Sequence, residues 1–258
     1  MGLVLGIDAA WTLTGTSGVA LMHCTPSERR VIAVAPSFSD FINLAQDRPT
    51  SIDVPSLIHA AEMLGSSQIN VVAIDMPMSL LQITGRRVAD QEVSRAFGAA
   101  GGSTHSPNPS RPGWYGQQLT EGFINAGFPL RTRNNPPKAN SPSLIEVFPL
   151  VALIRLMNLT KRPPYKVTKT TKYWPNFSLD ARIALLLNTW DSIFAALGGK
   201  VSQLNLKVPA RGAVHSLASL KPLEDMLDAI ISAWVGACFL NQAVQSFGDN
   251  HAAIWIPT

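Results

Sequence analysis

The chain is short of charged residues, of cysteine and of long apolar runs, and each shortage excludes a class of protein. Charged residues make up 15% of the 258 positions and hydrophobic residues 46%, which indicates a large core and excludes an intrinsically disordered chain. The two cysteines, Cys24 and Cys238, match no zinc-binding spacing and are too few for a disulfide framework. No charge-free apolar stretch reaches the roughly 18 to 20 residues that span a bilayer, so no membrane partner is expected.

Targeting and nucleotide-binding signals are also missing. The first residues, Met1 to Gly6, lack the basic region of a signal peptide and the Ser or Thr of a myristoylation site, which predicts a cytoplasmic protein. The glycines Gly98, Gly101 and Gly102 match neither a Walker motif nor a dinucleotide-binding fingerprint.

Positive charge is concentrated in one part of the chain. The formal net charge is +4, and residues 122–223, here called the basic segment, hold 14 of the 21 basic residues and 3 of the 17 acidic ones. Such an imbalance favours a polyanionic partner, DNA or RNA, through attraction to phosphates. A merely basic surface would have the same composition.

Apolar runs separated by turn residues predict the strands of an α/β domain. Strands are predicted at residues 3–8, 16–22, 31–35, 70–75 and 144–148, with a further short one at 252–256. Short links favour antiparallel pairing of the first three strands. A helical pattern at 54–64 lies before the fourth strand and predicts a right-handed crossover to a parallel neighbour.

Further helical patterns follow the fourth strand, separated by long polar loops. Helices are predicted at residues 86–97, 120–126, 150–157, 180–197 and 223–244. No domain boundary is evident, so residues 1–258 are predicted to form one domain with insertions around 98–143 and 158–222.

Five carboxylates from distant parts of the chain stand where they could share one cation site. Asp8 and Asp75 each end an apolar strand, Glu146 lies in a third, and Asp225 and Asp228 share one face of the last helix. Magnesium and manganese prefer such oxygen ligands, and two ions can activate water and stabilise the leaving oxygen in phosphodiester cleavage. All five are therefore candidate catalytic residues.

Each carboxylate also has a simpler interpretation. Asp8 could start a turn before Trp11, Asp75 could cap the segment after Pro77, and Glu146 could face outward from a half-exposed strand. Asp225 and Asp228 could complement the positive end of a helix dipole. The joint pattern is more specific than any one of its members.

Basic residues follow the second acidic strand. Arg87 and Asp90, at helical spacing, could form an ion pair, and Arg95 could reach a phosphate. Arg87 and Arg95 are therefore candidate substrate-binding residues, although a solvated charged helix would look the same.

A second basic candidate group lies in the loop 161–176. Lys166 could neutralise charge in a transition state, and Tyr165 and Lys169 could clamp a backbone phosphate. Lys166 is a candidate catalytic residue, and Tyr165 and Lys169 are candidate substrate-binding residues. His105, in a loop rich in Gly, Pro and Ser, could act as a general acid or base, or could be an ordinary loop histidine.

Six segments in order resemble the family catalogued as domain of unknown function 429, regarded as predicted ribonuclease H-like nucleases. The matching segments are Gly6-Ile7-Asp8-Ala9-Ala10-Trp11, Ala73-Ile74-Asp75-Met76-Pro77, Arg87-Val88-Ala89-Asp90 with Arg95, Glu146-Val147-Phe148-Pro149, Tyr165-Lys166 and Glu224-Asp225-Met226-Leu227-Asp228-Ala229. In one departure, the family often has an acid just after the proline of the third acidic strand, where this chain has Leu150.

The resemblance implies an architecture and a metal site. The expected fold is α/β and ribonuclease H-like, with a mixed five-stranded sheet (three antiparallel strands, then parallel ones), helices on both faces and long inserted loops. It also implies a nuclease that binds Mg²⁺ or Mn²⁺ at Asp8, Asp75, Asp225 and Asp228, with Glu146 as a less certain member.

Two other functions fit parts of the sequence. An actin-like ATPase or sugar kinase could cradle phosphate with the turn after Asp8, which contains Thr12, Thr14 and Thr16, but such proteins repeat this fold and this chain has one copy. A non-catalytic module could bind nucleic acid through the basic segment and use the carboxylates structurally.

Overall fold

A mixed β-sheet organises the chain in the computed structural model, which describes residues 2–11, 15–45, 51–136 and 141–258. The strand order is β3-β2-β1-β4-β5-β7-β6. The strands of this sheet are β1 (Gly2–Asp8), β2 (Gly18–Cys24), β3 (Arg29–Ala35), β4 (Ile69–Asp75), β5 (Ser143–Val147), β6 (Val244–Gly248) and β7 (Ala253–Pro257).

The pairing of the first strands follows the prediction. β1, β2 and β3 are antiparallel neighbours, and β4 and β5 continue the sheet parallel to β1. Within the described residues the sheet has seven strands, so the expected count of five is wrong. The error arose at the C-terminal end, where the helical pattern was extended to Val244. The helix instead ends at Leu240, a turn with Gln242 at φ 56° follows, and β6 pairs with β7.

Helices connect the strands and cover the sheet. They are α1 (Phe38–Ala45), α2 (Val54–Gly65), α3 (Val88–Phe97), α4 (Gly113–Asn125), α5 (Pro149–Leu156), α6 (Thr170–Tyr173), α7 (Leu179–Gly198) and α8 (Lys221–Leu240). Among the helices of the described ranges, none has both the length and the hydropathy needed to cross a bilayer.

Two apolar cores lie on opposite faces of the sheet, because side chains alternate along each strand. Val4, with alternate residues of the neighbouring strands, packs with α5, α7 and α8. Leu3 and Leu5 point the other way and pack with α1, α2 and α4. A smaller cluster joins α3 to β6 and β7. Helices therefore cover both faces.

Helix α8 lies unusually close to the sheet. A Cβ atom added to Gly6 would stand 2.3 Å from the carbonyl oxygen of Ala229, and one added to Gly18 would stand 2.2 Å from that of Asp225. Glycine at both positions lets the helix backbone rest on β1 and β2. Gly18 is also the Cα partner of Asp8, so this contact brings the acidic first turns of α8 beside the end of β1.

Candidate functional site

The carboxyl ends of β1 and β4 open into a cavity of about 800 Å³, here called the main cavity. Asp8 and Asp75 are the last residues of these strands, are Cα partners in the parallel ladder and line the cavity. Because side chains alternate, both follow Gly6 and Ala73 onto the face that α8 covers. The two predicted residues therefore lie side by side.

The carboxylates of Asp8 and Asp75 have unused ligand capacity. Among the described residues, no hydrogen-bond donor reaches either of them. Burial and the negative charge of Asp228 raise the pKa of Asp8 well above its usual range, against the opposing effect of Lys166. Burial raises the pKa of Asp75 to about 7, again opposed by Lys166. Paired acids in this state are stabilised by a proton or by a cation.

The acids of α8 are placed close by but are already partnered. Asp225 accepts hydrogen bonds from the Lys221 ammonium and from the Thr16 hydroxyl, the latter at 3.1 Å. Glu224 accepts from the Lys221 ammonium at 2.9 Å and from the backbone N–H of Val167. Both acids are buried, and both line the main cavity.

Asp228 is fully buried behind Lys166. Its carboxylate accepts hydrogen bonds from the Lys166 ammonium and, at 2.8 Å, from the Tyr165 hydroxyl. The ammonium also lies 3.5 Å from a carboxylate oxygen of Glu224. Burial would lower the pKa of Lys166, but the negative charges of Asp228, Asp8 and Glu224 raise it above its usual value. Lys166 is therefore a fixed cation on the wall of the cavity.

Glu146 also lines the main cavity, but its carboxylate is already bound by Arg87. It is the Cα partner of Ile74, one residue before Asp75, so its side chain leaves the opposite face of the sheet. There it accepts two hydrogen bonds from Arg87, at 2.6 and 2.7 Å, and one from the backbone of Met78 at 2.8 Å. This buried pairing occupies both oxygens of the carboxylate.

Arg87 joins Glu146 to Asp90. The expected ion pair between Arg87 and Asp90 is confirmed, with a separation of 2.9 Å. Both side chains are almost fully buried, and Asp90 also accepts from the backbone N–H of Arg87 at the start of α3. The neighbouring carboxylates raise the pKa of Arg87, so it stays charged. Its donors face protein acids, which gives it a structural role beside the predicted one in substrate binding.

The other predicted residues are distributed unevenly around the cavity. Tyr165 and Lys169 line it, as does His105, whose pKa is lowered by burial and by the positive charges nearby. Lys169 is partly buried. Arg95 is exposed and does not belong to the cavity lining. The substrate-binding roles of Arg87, Arg95, Tyr165 and Lys169 stay predictions.

Three contributors to the site were not among the predicted site residues. Lys221, Glu224 and Thr16 complete the hydrogen-bonded network around α8. Lys221 and Glu224 have a sequence signal, since Lys221 lies four residues before Asp225 and Glu224 four residues before Asp228 on one helix. Thr16 belongs to the turn considered for phosphate binding, but it donates to a protein acid; Thr12 and Thr14 lie outside the described residues.

The part of the chain that the structure describes contains no group of three or more His, Cys, Asp or Glu side chains arranged to hold a metal ion. Lys166 and Lys221 form ion pairs with the acids of α8. A metal centre formed jointly by Asp8, Asp75, Asp225 and Asp228 therefore stays a prediction. The pair Asp8 and Asp75 keeps its ligand capacity.

A comparison with protein-family models gives one match that covers most of the chain. The model described as "Protein of unknown function (DUF429)" matches residues 6–253. This range includes every residue of the site. No curated protein and no solved structure matches the chain.

Proposed function

We propose that this chain, which belongs to the DUF429 family, is a divalent-metal-dependent nuclease that hydrolyses phosphodiester bonds of nucleic acid. One observation carries the proposal. Two strand-end aspartates lie side by side and line a large cavity, without a hydrogen-bond donor among the described residues, and the half-buried Lys166 lies close enough for its charge to lower the pKa of both.

The sheet supports a ribonuclease H-like architecture. Strands β1 to β5 have the order β3-β2-β1-β4-β5, with three antiparallel strands followed by parallel ones, as expected for that fold. β7 and β6 extend this arrangement at one edge. Fold likeness supports the type of site and does not determine the reaction.

The donor set fits a magnesium or manganese ion held by Asp8 and Asp75. Magnesium is commonly bound through one or two carboxylates, with waters and substrate phosphate oxygens as its other ligands. Such an ion would supply Lewis acidity to the phosphate and lower the pKa of a bound water. Because Asp225 and Asp228 are bound to lysines, the proposal is one cation on Asp8 and Asp75, in place of two ions on four aspartates.

The remaining residues orient charge around the reacting phosphate. Lys166 presents an ammonium group where negative charge would develop on phosphate oxygens, and a fixed charge in a partly dry site stabilises that charge strongly. Asp228 and Glu224 hold this ammonium in place, and the Tyr165 hydroxyl donates a hydrogen bond that fixes Asp228. Lys169 adds a further positive charge to the cavity wall and attracts the polyanion.

The decisive test is cleavage by purified protein. With Mg²⁺ or Mn²⁺, the wild-type chain is expected to cut DNA or RNA oligonucleotides, and Asp8→Asn or Asp75→Asn is expected to lower the rate by more than about a hundredfold, because each removes a metal ligand. Asp191→Asn is the matched control. Asp191 is exposed on α7, outside the main cavity, so this variant should cleave as the wild type does.

A non-catalytic nucleic-acid-binding module is the second candidate, and a specific observation favours it. Lys166 and Lys221 already neutralise three acids of the site. Tight, salt-sensitive binding with no hydrolysis in either metal would support this candidate and contradict the nuclease proposal. The actin-like ATPase alternative is tested by adding a nucleotide to the purified protein. The nucleotide should raise the melting temperature of the protein only if that alternative holds.

A further inference from the structure

A second, smaller cavity adjoins the main cavity. This side cavity has a volume of about 250 Å³, and Pro77, which follows the strand ending in Asp75, lines both cavities. The turn at residues 108–112 also borders both, because Arg111 lines the main cavity and Pro112 lines the side cavity. Backbone hydrogen bonds of 2.9 and 3.0 Å between Asn108 and Arg111 close this turn. A chain-like ligand could therefore pass from one cavity into the other.

The two cavities differ in chemical character. Arg111, Arg162 and Lys169 contribute positive charge to the main cavity. The lining of the side cavity, among the described residues, contains no charged side chain. It combines Trp114 and Leu81, which are 60% and 57% exposed, with amide groups such as that of Gln82. Exposed large apolar groups beside a polar site are typical of a surface that binds a ligand or a partner molecule.

We propose that the side cavity receives an unpaired nucleobase of a single-stranded nucleic acid, whose neighbouring phosphate lies in the main cavity. The inference rests on the proposed function and adds the substrate class. A nucleobase is an uncharged, flat heterocycle that stacks on aromatic side chains, and Trp114 offers an exposed indole for it. The phosphate on either side of that base carries the charge that Arg111 and Lys169 attract.

Polar groups of the side cavity suit the edge of a base. Gln82 and Gln117 provide amides, and the Gln117 nitrogen already donates to Glu121 at 2.8 Å, which leaves the Gln117 carbonyl oxygen as an acceptor. The volume of the side cavity is below the roughly 300 Å³ at which drug-sized ligand sites begin, which suits one base better than a longer segment.

The substrate must be single-stranded because of how bases are held in a duplex. Paired bases are stacked on their neighbours and hydrogen-bonded across the helix, so one of them enters a protein cavity only after it unpairs and unstacks. Side-chain recognition of base faces is therefore typical of single strands.

The loop at residues 98–112 forms part of the wall of the main cavity. A backbone hydrogen bond of 2.8 Å, from the N–H of Arg162 to the carbonyl oxygen of Ala100, joins this loop to the segment at residues 161–173.

The test measures binding separately from cleavage. Fluorescence anisotropy with a labelled single-stranded oligonucleotide is carried out in the Asp8→Asn background, with a blunt duplex of the same length as the second probe. Trp114→Ala is expected to weaken single-strand binding between about 5-fold and 150-fold, the range given by stacking of one base. Trp114→Phe should restore most of it. Phe177→Ala removes another exposed aromatic, outside both cavities, and should change nothing.

Each outcome decides between the two proposals. Equal binding of duplex and single strand, or Trp114→Ala binding as the wild type, overturns the single-strand inference even if the protein cleaves nucleic acid. Trp114-dependent single-strand binding by the Asp8→Asn protein, together with no hydrolysis by the wild type in Mg²⁺ or Mn²⁺, supports the inference and contradicts the nuclease proposal. If sedimentation shows that Trp114→Ala converts a dimer into a monomer, the exposed patch is a contact between two copies and the inference fails.

Discussion

At the scale of single residues, Lys166 has the most consequential environment in the molecule. Its ammonium binds Asp228, which is fully buried, and lies near Glu224. A buried charge without a partner is far less favourable than a buried pair, so removing one member of this pair has a large effect. The same lysine faces the cavity, and stability and function therefore depend on one side chain.

We predict that Lys166→Met lowers the free energy of unfolding by about 3 to 5 kcal/mol, because it leaves Asp228 buried without its cation. Urea unfolding followed by circular dichroism measures this change. Lys172→Met, which removes an exposed lysine of the same loop, should lie within about 0.5 kcal/mol of the wild type. A combined Lys166→Met and Asp228→Leu variant should recover part of the loss; a loss equal to that of the single variant would contradict this explanation.

At the scale of secondary-structure elements, the contact of α8 with β1 and β2 determines the site. Gly6 and Gly18 allow the helix backbone to touch the strands, and this places Glu224, Asp225 and Asp228 near the end of β1. Loops carry the rest of the cavity wall, including Lys169 and Arg111. Rigid elements thus hold the acids, and loops supply the positive groups.

We predict that Gly18→Ala displaces the first turns of α8, since the new Cβ would meet the carbonyl oxygen of Asp225 at 2.2 Å. Overpacking of this kind destabilises by about 1 to 3 kcal/mol, and the shift should also reduce nuclease activity more than tenfold. Gly212→Ala is the control, because an added Cβ there has open space around it. Thermal melting and initial cleavage rates measure both effects, and an unchanged Gly18→Ala protein would show that the helix tolerates this displacement.

At the scale of the whole molecule, acids and bases are separated along the chain but meet at one cavity. The basic segment carries 14 of the 21 basic residues, and the aspartates of β1 and β4 come from outside it. The folded state therefore places Asp8 and Asp75 near each other at a pH where both would be ionised in the unfolded chain. Burial of these carboxylates, together with the negative charge of Asp228, raises the pKa of both and makes stability depend on pH and on added cation.

We predict that the metal-free protein becomes less stable as pH rises from about 4 to about 7. The pKa of Asp75 is raised to about 7 in the folded state, so folding takes up a proton at these pH values and stability falls as pH rises. Above this range the residue is ionised in both states, and its effect on stability no longer changes with pH. The slope from this residue is at most about 1.4 kcal/mol per pH unit. Urea unfolding at several pH values should show a flatter profile for Asp75→Asn than for the wild type.

The unfavourable burial of the ionised Asp75 gives this prediction a second readout. At pH 8, Mg²⁺ or Mn²⁺ should raise the melting temperature of the wild type more than that of Asp75→Asn, because the cation replaces the missing proton. Equal pH profiles for the two proteins, or an equal response to metal, would show that the Asp75 carboxylate is not the source of the pH dependence.

Much of the architecture and part of the site follow from local sequence. Apolar runs that end in an acid predict the strands bearing Asp8 and Asp75 within a few residues of their actual limits. Short links predict the antiparallel pairing of β1 to β3, and the helix before β4 predicts its parallel pairing. Local periodicity is enough here because each strand or helix is encoded within a few consecutive residues. The helix α1 and the strand β6 are not among the predicted elements, although Phe38, Phe41, Ile42 and Ala45 of α1 stand at helical spacing.

Only the tertiary structure decided which acids are free and which are bound. The register of β5 against β4 directs the Glu146 side chain to the face of the sheet where it binds Arg87. The packing of α8 brings Asp228 to Lys166, and Lys221 on the same helix binds Asp225. Such partners lie far apart in the chain, and their meeting depends on strand register and helix position, which no local pattern contains. Sequence thus named the acids, and folding left Asp8 and Asp75 as the pair with ligand capacity among the described residues.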